Sequence, residues 1–249
     1  MLALIKRHIN QSGFHVHVVT GESEAGSLPR FAYTIGLRES LGSELAIAGA
    51  AYYMADEVTR IVNTIGRRLM MMQEVESSPV QVDGLGRFSV RPVHDSWARP
   101  LLLGVFDYYK IGDVAAYQIV PDEAHWTIDT PDLGKAWSAT EEPIWRWLHE
   151  SWPYAVPPKS TATTNLNALR GSRITEVVRW EEDEWEIFAG PGPDVTPEEM
   201  RVVPLACLLG ADPSLRPVVD LERGGALWRD DDDGDWQPWG KGEQAGRPG

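Results

Sequence analysis

A single cysteine, no long apolar run and a shortage of basic residues set the first bounds on this chain. With Cys207 alone, no internal disulfide can form, which fits a reducing compartment. Cys207 sits in the run Leu205-Ala206-Cys207-Leu208-Leu209, a setting that suits a buried structural thiol better than a nucleophile. No stretch approaches the roughly 20 apolar residues that span a bilayer. Lys6 and Arg7 interrupt the short apolar start, so no secretory leader is expected and a soluble, cytoplasmic protein is. Lysine and arginine number 23 against 37 acidic residues, a net charge of −14. No basic stripe is available to follow a phosphate backbone, which argues against nucleic acid as a partner.

Several chemical signatures are missing as well. Gly84-Leu85-Gly86 lacks the third glycine of a dinucleotide fingerprint and does not lie between a strand and a helix. Lys159-Ser160-Thr161 has no preceding glycine run, so there is no phosphate loop, and no Gly-x-Ser-x-Gly elbow occurs. The run Asp230–Asp233 lacks the alternating spacing of a calcium loop and reads as a solvated tail, as does the Gly-rich end from Gly240. No cofactor is expected, and the balance leans away from an enzyme.

What is present is enough apolar residue, 43 % of 249, to form a core, together with eleven tryptophans. The charge is uneven. Residues 1–140 carry 12 basic and 16 acidic side chains (net −4), and residues 141–249 carry 11 and 21 (net −10). Leu2 to Ile9 reads as an opening helix, and Phe14-His15-Val16-His17-Val18 alternates as a strand with Phe14, Val16 and Val18 inward. A polar loop follows from Gly21 to Pro29. Phe31, Tyr33, Ile35 and Leu37 share one face of the next strand. Ala32, Thr34 and Gly36 lie on the other, where a close backbone approach is expected. Glu44 to Ala50 is a third strand. Met54 to Gln73 is the clearest helix, with Met54, Val58, Ile61, Ile65, Leu69 and Met72 in one stripe. Val80–Val82 and Phe88–Val90 form a hairpin, Ser96 is placed to cap a helix through Tyr109, and Ala115 to Val120 is a strand.

Composition shifts near residue 140. Glu141 to Trp152 reads as a Trp-rich helical piece, and Pro157 to Asn167 reads as a linker. Ile174–Trp180 and Trp185–Ala189 flank an acidic hairpin loop, Thr196-Pro197-Glu198-Glu199 starts a helix, and Leu205–Gly210 and Leu215–Leu221 add core. The expected class is therefore α+β. A mixed or antiparallel sheet is packed by two main helices over residues 1–140, and a second small α+β domain occupies 170–239. Between them lies a connecting piece (141–169), and a disordered tail covers 240–249.

His15 and His17 share a strand face, as paired imidazole ligands do, but a third ligand would have to come from His94 or His125, so no metal site is expected. His94, Trp97 and Asp122 stand at element ends, where functional side chains are often placed and where caps and turns are also needed.

Taken together, Gly13-Phe14-His15-Val16, Phe31-Ala32-Tyr33-Thr34-Ile35-Gly36-Leu37, Glu44-Leu45, Val93-His94-Asp95-Ser96-Trp97 and Tyr117-Gln118-Ile119-Val120-Pro121-Asp122 carry a resemblance. Over about residues 8–137 the chain resembles the bacterial family catalogued as domain of unknown function 4262, marked by the Thr-Ile-Gly element. That family tends to carry Gly-His-Pro-Glu-Leu where this chain has Gly42-Ser43-Glu44-Leu45, and often Trp where Val120 stands. More weakly, Asp183–Phe188, Asp212–Leu215 and Ala226–Arg229 resemble small immunity-type accessory domains. The resemblance implies no transferable activity.

Two functions compete. The first is a non-enzymatic protein-binding or toxin-neutralising role, in which acidic surface and Trp anchors meet a basic protein. The second is a small-molecule enzyme or sensor with a pocket around Tyr33, Thr34, His94 and Asp122, with His94 as acid or base. The candidate binding residues are Tyr33, Thr34, Gly36, His94, Trp97 and Asp122.

Overall fold

The computed structural model describes residues 2–20, 28–75, 78–192, 195–230 and 234–239. Most of the loop expected from Gly21, the acidic positions 231–233 and the end from Gly240 lie outside the described residues.

The first half builds a six-stranded mixed sheet. Its strands are β1 (His15–Val19), β2 (Phe31–Ile35), β3 (Glu44–Ala48), β4 (Val80–Val82), β5 (Gly86–Pro92) and β6 (Ala116–Pro121), in the order β1-β2-β3-β6-β5-β4. All neighbours are antiparallel except β3 and β6. The chain is α+β, as its pattern predicts. β2 and β3 are buried at every position because both faces of the sheet are covered. Ala32, Leu45, Ile47, Phe88 and Ile119 pack with helix α3 (Ala55–Met72), which buries Val58, Ile61, Val62, Ile65 and Leu69. Met54 and Met72, the ends of the expected stripe, are exposed (45 % and 47 %), because the sheet is shorter than the helix.

The opposite face carries Phe31, Tyr33, Ile35, Ala46 and Ala48. These join one apolar cluster with Trp97, Leu101 and Trp145, and with Ala162, Trp185, Leu205 and Leu208 of the second half. Helix α1 (Leu2–Ser12) sends Ile5 into this cluster. After β3, Gly49 and Ala50 both take left-handed φ (+69° and +59°). A Cβ on Gly49 would lie 2.0 Å from the Asp129 carbonyl, so the turn admits no side chain there.

The helix expected from Ser96 to Tyr109 is two, α4 (Asp95–Leu101) and α5 (Leu103–Tyr109), broken at Leu102 after Pro100. Its cap is His94, whose side chain accepts from the Ser96 amide, while the Ser96 hydroxyl meets His94 and the Trp137 amide. Ser96 is thus inside the first turn.

The second half forms another six-stranded sheet, ordered β10-β7-β9-β8-β11-β12. Here β7 is Thr161–Asn165, β8 Glu176–Arg179, β9 Glu184–Phe188, β10 Met200–Pro204, β11 Ala226–Trp228 and β12 Gln237–Pro238. The stretch expected as linker, 157–167, contains β7, parallel to β9 and antiparallel to β10, followed by the four-residue helix α6 (Leu166–Leu169). Its threonines give it the composition of a linker, yet Ala162 and Thr164 are fully buried between neighbouring strands. The Trp-rich piece is a 3-10 helix, Pro143–Leu148, packed against helix α7 (Leu205–Ala211). Arg229 is 7 % exposed, donates to Ile174 O, Ser214 Oγ and Asp212 Oδ2, and lies under the Trp236 ring at 4.1 Å.

Candidate functional site

The Thr-Ile-Gly element is a carboxylate lock. Glu44 begins β3 with no solvent exposure, and its two oxygens are held by the Thr34 hydroxyl and by the amides of Gly36 (3.0 Å), Leu37 (3.2 Å) and Arg38 (3.4 Å). Those amides open the short helix α2 (Arg38–Leu41), where donors would otherwise lack partners. The Thr34 hydroxyl also accepts from the Leu45 amide at 2.9 Å. Gly36 takes φ +116°, and a Cβ there would come within 2.8 Å of Ile9 and 3.0 Å of the Gly13 carbonyl. The close approach expected on that strand face is therefore real. Burial pushes the Glu44 carboxyl up to about 7, against the pull of the four hydrogen bonds.

The remaining sequence-predicted site residues have separate partners. The Tyr33 hydroxyl accepts from the Gly104 amide at 3.0 Å, and burial raises its pKa. Trp97 is fully buried and donates to Lys135 O at 3.0 Å. His94 caps α4. Asp122 meets the His125 ring and the Arg87 amide. Its partial burial opposes ionisation, but these hydrogen bonds outweigh that and hold the carboxyl below its ordinary value. Thr34 and Gly36 come together through Glu44. No hydrogen bond or ring contact among the described residues joins Tyr33, His94 and Asp122. His15 finds neither His94 nor His125: its Nδ1 meets His8 Nδ1 at 2.8 Å. Among the described residues no group of three or more His, Cys, Asp or Glu has a metal-binding arrangement.

A different set of residues converges on a cleft of about 360 Å³ between the Gly49–Ala55 turn, Arg30 and strand β10. Arg30 stands just before β2. One of its terminal nitrogens donates to Tyr53 O, while its buried Nε has no hydrogen-bond partner among the described residues. Arg201, on β10, donates through Nε to Tyr52 O (2.8 Å) and through Nη1 to Glu198 O (2.7 Å) and Met200 O (2.8 Å). Neither guanidinium forms an ion pair within 4 Å among the described residues. Burial lowers both pKa values; at Arg30 the Arg201 charge adds to the lowering, while Glu57 acts against it at both arginines. Asp129 attracts Arg30 electrostatically but is committed elsewhere: it accepts from the Ala51 amide (3.1 and 3.3 Å) and the Thr127 hydroxyl (2.6 Å). Burial pushes the Asp129 carboxyl up, and burial, reinforced by Asp129, pushes the Cys207 thiol up. Cys207 is therefore held as a thiol, a poor nucleophile. At the rim, Met54 (45 %) and Val202 (70 %) expose apolar surface. The cleft can hold an anion beside an apolar group.

The sequence alone does not reveal this site, because its arginines come from opposite ends of the chain. The one local signal is that Arg30 directly precedes a strand buried at every position.

These features define a two-sheet α+β protein with a basic, apolar-rimmed cleft beside Gly49–Ala51. Residues 8–126, which hold the whole of the first sheet, match the model of the family described as Domain of unknown function (DUF4262). No curated protein and no solved structure matches the chain. No helix among the described residues is long and apolar enough to cross a membrane.

Proposed function

We propose that the protein is a non-enzymatic binding protein, acting in the cytoplasm, for a small anionic ligand with an apolar part. One observation carries this reading: in a chain of net charge −14, Arg30 and Arg201 share one cleft, and neither guanidinium forms an ion pair within 4 Å among the described residues. Two neighbouring, partly desolvated cations repel each other, and a bound carboxylate or phosphate relieves that cost through charge-assisted hydrogen bonds. The free Arg30 Nε supplies one donor, and Met54 and Val202 would cover the apolar part. Octanoate and octyl phosphate are suitable probes for calorimetry. Saturable binding of either, lost in Val202→Asp at unchanged melting temperature, supports the reading. Equal binding of octylammonium, or none of any probe, sinks it.

A second reading, an immunity-type protein engaging a basic partner, rests on the acid excess of residues 141–249. Two of its expected Trp anchors, Trp145 and Trp185, are spent inside the fold, while Trp147, Trp152, Trp180, Trp228, Trp236 and Trp239 keep part of their surface exposed. Salt-sensitive, stoichiometric binding of a basic protein in sedimentation, unaffected by Val202→Asp, would favour it. Failure to associate with any candidate at low salt counts against it.

A further inference from the structure

A second cleft, of about 450 Å³, shares no lining residue with the first. Its floor is the β5–β6 face, where Arg91 stands opposite Gln118, and its far wall is formed by residues 126–132 and 141–144. The Arg91 side chain has no hydrogen bond or ion pair among the described residues, so its donors are open to the cleft. Thr130 is 6 % exposed and its hydroxyl has no hydrogen-bond partner among the described residues, an arrangement that is costly unless something fills it. Trp126 is a large apolar ring left 39 % exposed on the same wall. Glu142 uses one oxygen to accept from the Asp132 amide at 2.8 Å, leaving the other available, and Glu141 stands beside it.

The chemistry of this lining is mixed. A purely anionic ligand would meet Glu141 and Glu142, and a purely cationic one would leave Arg91 and the buried Thr130 hydroxyl unserved. A neutral polyol satisfies every group at once, because each hydroxyl both donates and accepts. The C–H face of a pyranose also matches an exposed indole. We infer that this cleft binds a neutral sugar, with its ring on Trp126, its hydroxyls bridging Arg91 and Glu142, and one of them reaching Thr130.

Saturation-transfer NMR and calorimetry on the full chain, with D-glucose, D-galactose, D-mannose and N-acetyl-D-glucosamine as probes, test this. Saturable binding of at least one is expected. Trp126→Ala should weaken it about tenfold or more, and Thr130→Val should weaken it less. Both variants should keep the wild-type melting temperature within a few degrees, and Val202→Asp should leave sugar binding untouched. Absence of binding for all four sugars overturns the inference. So does sugar binding that Trp126→Ala does not change, or a site filled by adenosine or glycine in place of the sugars. Because the variants lie in separate clefts, failure here leaves the anion site standing, and the reverse also holds.

Discussion

Replacing Glu44 with glutamine keeps the shape of the side chain and removes its titration. A glutamate titrates ordinarily near 4.5, and in this fold Glu44 titrates at about 7. The folded state thus holds the proton more tightly than the unfolded chain. The associated stability is full below pH 4.5 and is lost as pH rises through about 7. At about 1.4 kcal/mol per pH unit, the loss between pH 5 and pH 8 is about 2–3 kcal/mol. Glutamine carries no such dependence. The stability advantage of wild type over Glu44→Gln should therefore shrink by about 2–3 kcal/mol from pH 5 to pH 8. His15 and His17, whose pKa values are lowered chiefly by burial, run the other way and cost stability as pH falls below 6.5. They are common to both proteins and cancel in the difference. Urea unfolding followed by tryptophan fluorescence at each pH gives the two curves. Parallel curves, or an advantage that grows with pH, would refute the account of a buried carboxyl pushed up by desolvation.

Three further outcomes follow from the same geometry. Thr34→Val strands the Leu45 amide and removes one donor to Glu44, and should cost about 2–4 kcal/mol in denaturant unfolding. Gly36→Ala, forced into left-handed φ against Ile9 and the Gly13 carbonyl, should cost more than about 2 kcal/mol, and a neutral result would contradict the close approach of α1 to this turn. Arg229→Met should lower stability by about 2–3 kcal/mol in the same assay, since it orphans Ile174 O and Asp212 Oδ2, and should change the emission of Trp236, on which the guanidinium lies.

Local pattern makes much of the first sheet legible. The alternation of Phe31, Tyr33 and Ile35 against Ala32 and Thr34, and the three-four spacing of Val58 to Leu69, report burial directly. The stretch 161–165 is opaque, because Thr-Ala-Thr-Thr-Asn is polar in composition and becomes a strand only through pairing with β9 and β10. The Thr-Ile-Gly element is visible as a motif, yet its meaning lies in Glu44, whose burial no local pattern announces. The arginine cleft is beyond reach for a related reason. Arg30 and Arg201 meet only once β10 is laid against the second sheet and the Gly49–Ala50 turn is closed on Asp129. Charge counting does not find them either, since an acidic total conceals two cations that form no close ion pair among the described residues.

The proposed anion site rests on Arg30 and Arg201. Selective arginine labelling would let NMR follow the Arg30 Nε–H, which has no hydrogen-bond partner among the described residues. Titration with octyl phosphate should move that resonance downfield in a saturable manner, and the Val202→Asp variant should abolish the shift. A resonance that stays fixed while octyl phosphate binds, or that moves equally with octylammonium, would contradict the account.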